Sequence, residues 1–218
     1  FNAADLDVLP RHRVDGELAE PKLLMPLLPM ALINGAAGIA TGFSTNVYPY
    51  APVNLIAAAI AVLDGTTVPK LVPSFRDWQG DVFVFDGGFS TTGKHTVLSD
   101  IAVKVKTLPV GVFPNAFQNK IQKLKEKGTL KNFDISYLES GPQFAVTFTK
   151  KTSGAAMCKA LGLTKVHSTK NMHLLDKMGV LKKYANAETI LREYVELKLQ
   201  ITSRRIKHQI RAVQEELD

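Results

Sequence analysis

Cysteine is nearly absent from this chain of 218 residues, where Cys158 stands alone. One thiol builds neither a disulfide framework nor a thiolate metal cluster, which fits a reducing intracellular compartment. The five histidines (His12, His95, His167, His173, His208) have no thiol or carboxylate neighbours at metal-ligand spacing. No acidic cluster is read as a magnesium site, and no serine sits in a G-x-S-x-G elbow. Cys158 lies in an apolar helical context that reads as core, and none of the five tyrosines (Tyr48, Tyr50, Tyr137, Tyr184, Tyr194) follows an arginine in a way that suggests an activated phenolate. The start has no signal peptide, because Phe1 opens the polar, acidic stretch FNAADLD. It also has no Met, so the chain is expected to be a piece of a longer one. Long apolar runs are missing too. LLMPLLPMALI (Leu23 to Ile33) is broken by Pro26 and Pro29, and LIAAAIAVL (Leu55 to Leu63) has nine residues, whereas a spanning helix needs about 20.

What is present is a 45% hydrophobic composition, enough to bury a sizeable core. The 27 Lys+Arg against 20 Asp+Glu give a net charge of +7, with a pI near 9.4. Such an excess suits a polyanionic partner and equally suits a solvated basic surface. The chain reads in three parts. Residues 1–65 hold the proline-broken run, a glycine-rich loop and a helix that Pro52 starts and Asp64-Gly65 ends; apolar nearly all round, this helix is expected to be buried. Residues 66–185 mix short strands with short helices, including a strand pair around Val166 to Leu181. Here NAFQNKIQKLKEKG (Asn115 to Gly128) predicts an amphipathic helix capped by Asn115, with Phe117, Ile121 and Leu124 on one face. Residues 186–218 predict one long helix with two apolar stripes, either a helix packed on two sides or the start of a coiled-coil arm. The fold class is mixed α/β (α+β), a largely antiparallel sheet with packed helices and a long C-terminal helix.

GGFSTTGKHT carries Gly88, Gly93 and Lys94 at the spacing of a phosphate-binding loop. His95 replaces the magnesium-ligating hydroxyl, and a strand-like TVLSDIAVKV follows where a helix is needed. It is read as a hairpin turn with a basic tip; titration with ATP separates that reading from a nucleotide-dependent enzyme. The lysines Lys120, Lys123 and Lys127 on the amphipathic helix are candidates for phosphate contacts or an ordinary solvated face. LINGAAGIATGFST (Leu32 to Thr45) sets Gly35, Gly38 and Gly42 around the large Ile39. On residues alone it reads as tight core packing with Ile39 buried.

PMALINGAAGIATGFSTNVYPYAP resembles the DNA-cleavage region of type IIA DNA topoisomerases, of the form L-P-x-x-L-x-N-G-x-x-G-I-x-x-G-x-x-T. Pro29, Leu32, Asn34, Gly35, Gly38, Ile39, Gly42 and Thr45 all fall in place. FRDWQG (Phe75 to Gly80) and VKTLPVGVF resemble later steps of the same pattern, nearer to the eukaryotic enzyme and the medium subunit of T-even phages than to bacterial gyrase. Two positions depart: Tyr48 stands where the first of two prolines is usual, and Asp77 where glycine is usual. The resemblance implies a tower or shoulder region leading into the coiled coil of an ATP-dependent enzyme that binds and bends a gate duplex for double-strand cleavage and strand passage. It implies that Ile39 is a wedge between bases, and that Gly35, Gly38 and Gly42 let backbone approach DNA. Asn34, Thr41, Ser44 and Thr45 become candidates for phosphate or sugar contacts. It implies a catalytic tyrosine upstream, no catalytic residue, metal or cofactor held here, and Mg2+ and ATP used by the complete enzyme. The implied partners are double-stranded DNA, a second copy of the cleavage subunit, and ATPase and magnesium-binding modules on the same or another chain, with no membrane. The implied location is with DNA inside the cell, host cytoplasm for a phage protein and nucleus for a eukaryotic one. A non-enzymatic DNA-bending or clamp protein is the alternative.

Overall fold

The computed structural model describes residues 2–139 and 141–217. A 3-10 turn (Ala3–Asp7) leads into the strands β1 (Arg11–Val14) and β2 (Glu17–Pro21), the single-turn helix α1 (Met30–Ile33), the strands β3 (Ala36–Ala40) and β4 (Phe43–Val47), and helix α2 (Pro52–Leu63). Next come β5 (Gly80–Phe85), β6 (Gly88–Gly93), β7 (His95–Ser99), β8 (Ala102–Val105), helix α3 (Pro114–Glu126), β9 (Leu130–Leu138) and β10 (Gly141–Phe148). Helix α4 (Gly154–Leu161), β11 (Thr164–Ser168), β12 (Met172–Leu175), β13 (Leu181–Tyr184) and helix α5 (Ala187–Leu217) complete the order. The strand pairs are antiparallel throughout, and α5 is the long uninterrupted helix that a stretch free of Gly and Pro predicts. The mixed α/β class expected from the sequence is therefore the class observed.

Two compact units emerge, Phe1–Phe75 with Thr169–Asp218, and Arg76–Ser168. The first is built on Leu32, Leu55, Leu71, Met172, Tyr184 and Leu191, so its core joins residues from both ends of the chain. Its 3-10 turn is fastened to α5 by Asp5, which is 2% exposed. Lys198 Nζ and Arg205 Nη1 each donate to the Asp5 carboxylate at 2.8 Å. Helix α2 buries Leu55 and Ala58 but leaves Val53, Ile56, Ile60 and Leu63 exposed. The expectation of all-round burial is corrected: only one stripe of this apolar helix meets the core.

The second unit holds the sheets β11-β6-β5 and β7-β8-β10-β9. Its core gathers Phe117, Ile121, Phe144, Val146, Met157 and Leu161, with Phe117 edge-on to Phe144. Helix α3 begins two residues earlier than a cap at Asn115 implies. Pro114 occupies its first turn and Phe113 the N-cap position, without a side-chain cap. Proline's fixed φ and missing N–H suit that first position, and Asn115 is already inside the helix. The apparent phosphate loop is corrected as well, because Gly88–Gly93 is the central strand of its sheet rather than a turn. A Cβ on Gly93 would collide with the Thr107 carbonyl oxygen, and one on Gly88 with that of His167. These glycines admit neighbouring backbone, not a nucleotide. Likewise the strands near Val166 and Leu181 do not pair with each other: β11 pairs β6, and β12 pairs β13. Cys158 is only partly buried, and its thiol lies 3.0 Å from His95 Nε2.

Asp77, at a position where the resembling family has glycine, takes φ +57°. The turn thus keeps a glycine-like backbone at the expense of left-handed strain, which Asp tolerates better than most residues. Its ion pair with Arg76 spans 3.6 Å between almost fully exposed side chains and contributes little. Asp77→Gly is expected to raise stability by about 0.5–1 kcal/mol and Asp77→Val to lower it by about 1–2 kcal/mol, read from urea midpoints. Equal midpoints for all three proteins would contradict this account.

Candidate nucleic-acid interface

The stretch from Asn34 to Thr45 is a β-hairpin with its approach. In β3 and β4, Ala36 faces Val47, Gly38 faces Thr45, Ile39 faces Ser44 and Ala40 faces Phe43, leaving Thr41 and Gly42 as the turn. Gly42 has φ +81°, the left-handed conformation that closes so tight a connection. The base is anchored. Val47 is 2% exposed in the core, and the Tyr50 N–H donates to the Leu32 carbonyl at 2.8 Å. Gly35 has φ +74°, and a Cβ there would lie 2.9 Å from the Val47 carbonyl oxygen and 3.1 Å from Pro49 Cδ. Tyr48 stiffens the exit in place of a proline: its hydroxyl accepts from Asn46 Nδ2 at 2.8 Å and its ring meets Phe75 edge-on.

The tip is the reverse of the base. Ile39 is 94% exposed, so the core-packing reading of the residues fails. The flanking Ala37, Gly38, Ala40, Thr41 and Gly42 are small and exposed, and Ile39 projects beyond them as the single large side chain of β3. Gly38 has no positive φ, and a Cβ added there would meet no atom within 4 Å, so nothing in the protein itself demands glycine at this position. Asn34 is exposed at the end of α1, its own N–H donated to the Met30 carbonyl.

A third strand, which sequence spacing does not reveal, braces the hairpin. β12 runs along the free edge of β4. The Asn46 N–H donates to the Asn171 carbonyl at 2.7 Å, and Asn171 Nδ2 donates to Ser44 Oγ at 2.7 Å. The His173 N–H donates to Thr45 Oγ1 at 3.1 Å, and its Nδ1 lies 3.1 Å from the Ser44 carbonyl. Ser44 and Thr45 therefore hold the hairpin in place, while each hydroxyl keeps a proton to donate outward. Asn171 and Ser44 are 127 residues apart, so no local pattern signals the contact.

Lys120, Lys123 and Lys127 lie exposed at α3 of the other unit, where Phe117 and Ile121 bury the opposite face. The two compact units thus each carry part of the candidate set: the hairpin residues in one and these lysines in the other.

Among the described residues, no three His, Cys, Asp or Glu side chains converge to hold a metal ion. Asp5 and Asp7 do have the spacing of a magnesium-binding pair, but Asp5 is committed to Lys198 and Arg205. The side chains present among the described residues therefore do not fit a magnesium ion. Burial pushes the phenols of Tyr48, Tyr50, Tyr194 and Tyr184 up, the last to about 12. The Tyr194 hydroxyl is moreover spent on the Pro26 carbonyl at 2.6 Å. Raised phenols are the opposite of what a phenolate nucleophile needs. No described helix is long and apolar enough to cross a membrane.

Known proteins share this architecture. DNA topoisomerase 2 of Arabidopsis thaliana is 30% identical over 215 residues, covering 93% of this chain and 15% of that protein. The DNA topoisomerase medium subunit of Enterobacteria phage T4 is 27% identical over 216 residues, covering 95% of this chain and 48% of that subunit. This chain thus spans a minor part of the relatives' length. The crystal structure of the Plasmodium falciparum topoisomerase II DNA-binding, cleavage and re-ligation domain covers 99% of this chain with a TM-score of 0.84. This chain covers 31% of that one, and at 21% identity the likeness is one of fold. The family model for the A-type subunit of DNA gyrase/topoisomerase IV matches residues 1–218, and the chain belongs to that family.

Proposed function

We propose that this chain is the part of a type IIA DNA topoisomerase that grips and bends the gate duplex for cleavage and strand passage. The observation that carries the reading is Ile39: a large aliphatic side chain, 94% exposed, on a braced hairpin where its neighbours in β3 and the turn, Ala37, Gly38, Ala40, Thr41 and Gly42, are small. An apolar wedge pushed between base pairs unstacks them and kinks the duplex, at a cost of a few kcal/mol per step. Gly38 and the alanines beside it leave room for a sugar-phosphate backbone to lie against the strand. Asn34, Thr41, Ser44 and Thr45 supply donors for phosphate or sugar, and Gly35 and Gly42 hold the shape that presents them. Lys120, Lys123 and Lys127 add charge for phosphates.

The tyrosine that cleaves, the magnesium site that supports cleavage and the ATPase belong to other parts of the complete enzyme, on this polypeptide or a partner's. The enzyme works as a dimer of cleavage subunits, on DNA inside the cell, whether in a nucleus or a host cytoplasm. In this reading residues 1–65 face DNA, 66–185 form the tower or shoulder, and 186–218 begin the coiled-coil arm. The test is fluorescence transfer between dyes at the two ends of a duplex. The complete enzyme is expected to shorten the end-to-end distance on binding, and this chain alone to leave supercoiled plasmid intact. A duplex that stays straight in the complex refutes the reading.

A further inference from the structure

The β12–β13 ribbon carries a pair of basic side chains that the wedge does not account for. His173 and Lys183 stand directly opposite each other in the antiparallel register. On the other face of the ribbon, Met172 and Tyr184 are buried in the core, whereas Lys183 is exposed and His173 half-buried. Two basic side chains directly opposed across two strands repel each other whenever both are charged, and an anion between them relieves that repulsion. The strands around the pair supply no such anion: β3, β4, β12 and β13 contain no Asp or Glu. Glu193 of α5 pairs with Lys182. Asp176, beyond the end of β12, accepts the N–H groups of Met178 and Val180, and the other charges near it are Lys177 and Lys182.

The ring of His173 is also pre-oriented. The Ser44 carbonyl only accepts, so Nδ1 carries the proton and donates it. Phe43 meets the ring edge-on, with centroids 6.2 Å apart, and Nε2 has no partner among the described residues. The acceptor carbonyl belongs to Ser44, the cross-strand neighbour of Ile39.

We propose that His173 and Lys183 form a phosphate-binding pair beside the hairpin, gripping the backbone of the duplex that Ile39 enters. The proposal rests on the DNA-bending reading. With Nδ1 committed to the Ser44 carbonyl, Nε2 can donate to a phosphate only when the ring carries a second proton, so anion binding here is coupled to proton uptake.

The test is anisotropy of a labelled duplex with the complete enzyme, across a salt series at about pH 6 and about pH 8, the range in which imidazoles titrate. Lys183→Gln is expected to flatten the plot of log affinity against log salt by about 0.9 per copy at both pH values. His173→Asn keeps a donor near the Nδ1 position and so preserves the brace. It is expected to retain bending at the higher pH while losing roughly threefold to tenfold of the gain in affinity that the wild type shows in acid. If the wild type binds and bends but either variant keeps the wild-type salt slope and pH response, the pair is not a phosphate site and the bending reading stands. If the wild type fails to bend the duplex, both fall.

Discussion

Ile39→Ala is expected to leave the fold and its unfolding midpoint unchanged while sharply reducing DNA bending and cleavage by the complete enzyme. The fold is spared because the side chain is 94% exposed and belongs to none of the three hydrophobic clusters. The loss arises in the complex. Burying an Ile side chain between bases returns about 1.5–3 kcal/mol, which offsets most of the cost of unstacking one step. Alanine forfeits most of that, so the bent complex should become about ten- to hundredfold less populated, and cleavage should fall with it. Phosphate contacts remain, so unbent binding persists with its salt dependence intact. Ile39→Leu, which keeps the volume, is expected to recover most of the bending. Gel-resolved cleavage beside a circular dichroism melt checks both halves. A variant that melts early would place Ile39 in the fold instead.

The second large effect is expected at Asp5. Its carboxylate is buried between Lys198 and Arg205, whose side chains are each only 16% exposed. Burial pushes this carboxyl up, but the hydrogen bonds and charges of Lys198 and Arg205 together outweigh it, and the net displacement is downward. Asp5→Asn removes the anion and leaves two cations uncompensated beside the 3-10 turn. Breaking one side of a buried pair typically costs about 3–5 kcal/mol, a large share of a domain's stability. The pH dependence follows from the sign. A carboxyl whose folded pKa is depressed contributes its full stabilisation above its unfolded value, near 3.8, and loses it as pH falls through the folded value. The variant should therefore trail the wild type at neutral pH and converge with it in acid, as urea unfolding at the two pH values will show. A difference below about 1 kcal/mol at neutral pH would mean the network is dispensable.

What sequence reading reaches, and what it does not, divides along physical lines. Helix α5 is legible because an unbroken stretch free of Gly and Pro is a local signal. So is the inward face of α3, where Phe117 and Ile121 are buried. Helix α2 is misjudged because the alternation that marks a buried stripe is erased when every position is apolar. Leu55 and Ala58 go in while Val53 and Ile60 stay out, and only the packing partners decide which. Gly88 and Gly93 are mistaken for turn residues because glycine fits a turn and a crowded strand equally well. At the candidate site, the run from Asn34 to Thr45 stands out through its motif, and the exposure of Ile39 supports the role that the motif suggests. Asn171 and His173 are invisible for the opposite reason. Their contacts with Ser44 and Thr45 join distant parts of the chain, and no spacing rule predicts which strand will lie along a hairpin's free edge.

The insertion of Ile39 between base pairs is tested most directly by 2-aminopurine placed in turn at successive steps of the gate duplex. Unstacking relieves the quenching of this base by its neighbours. With the wild-type enzyme, fluorescence is predicted to rise at one step in each half of the duplex and to stay flat at that step with Ile39→Ala. An equal rise with the alanine variant, or no rise at any step of a duplex that is bound and bent, would contradict the wedge.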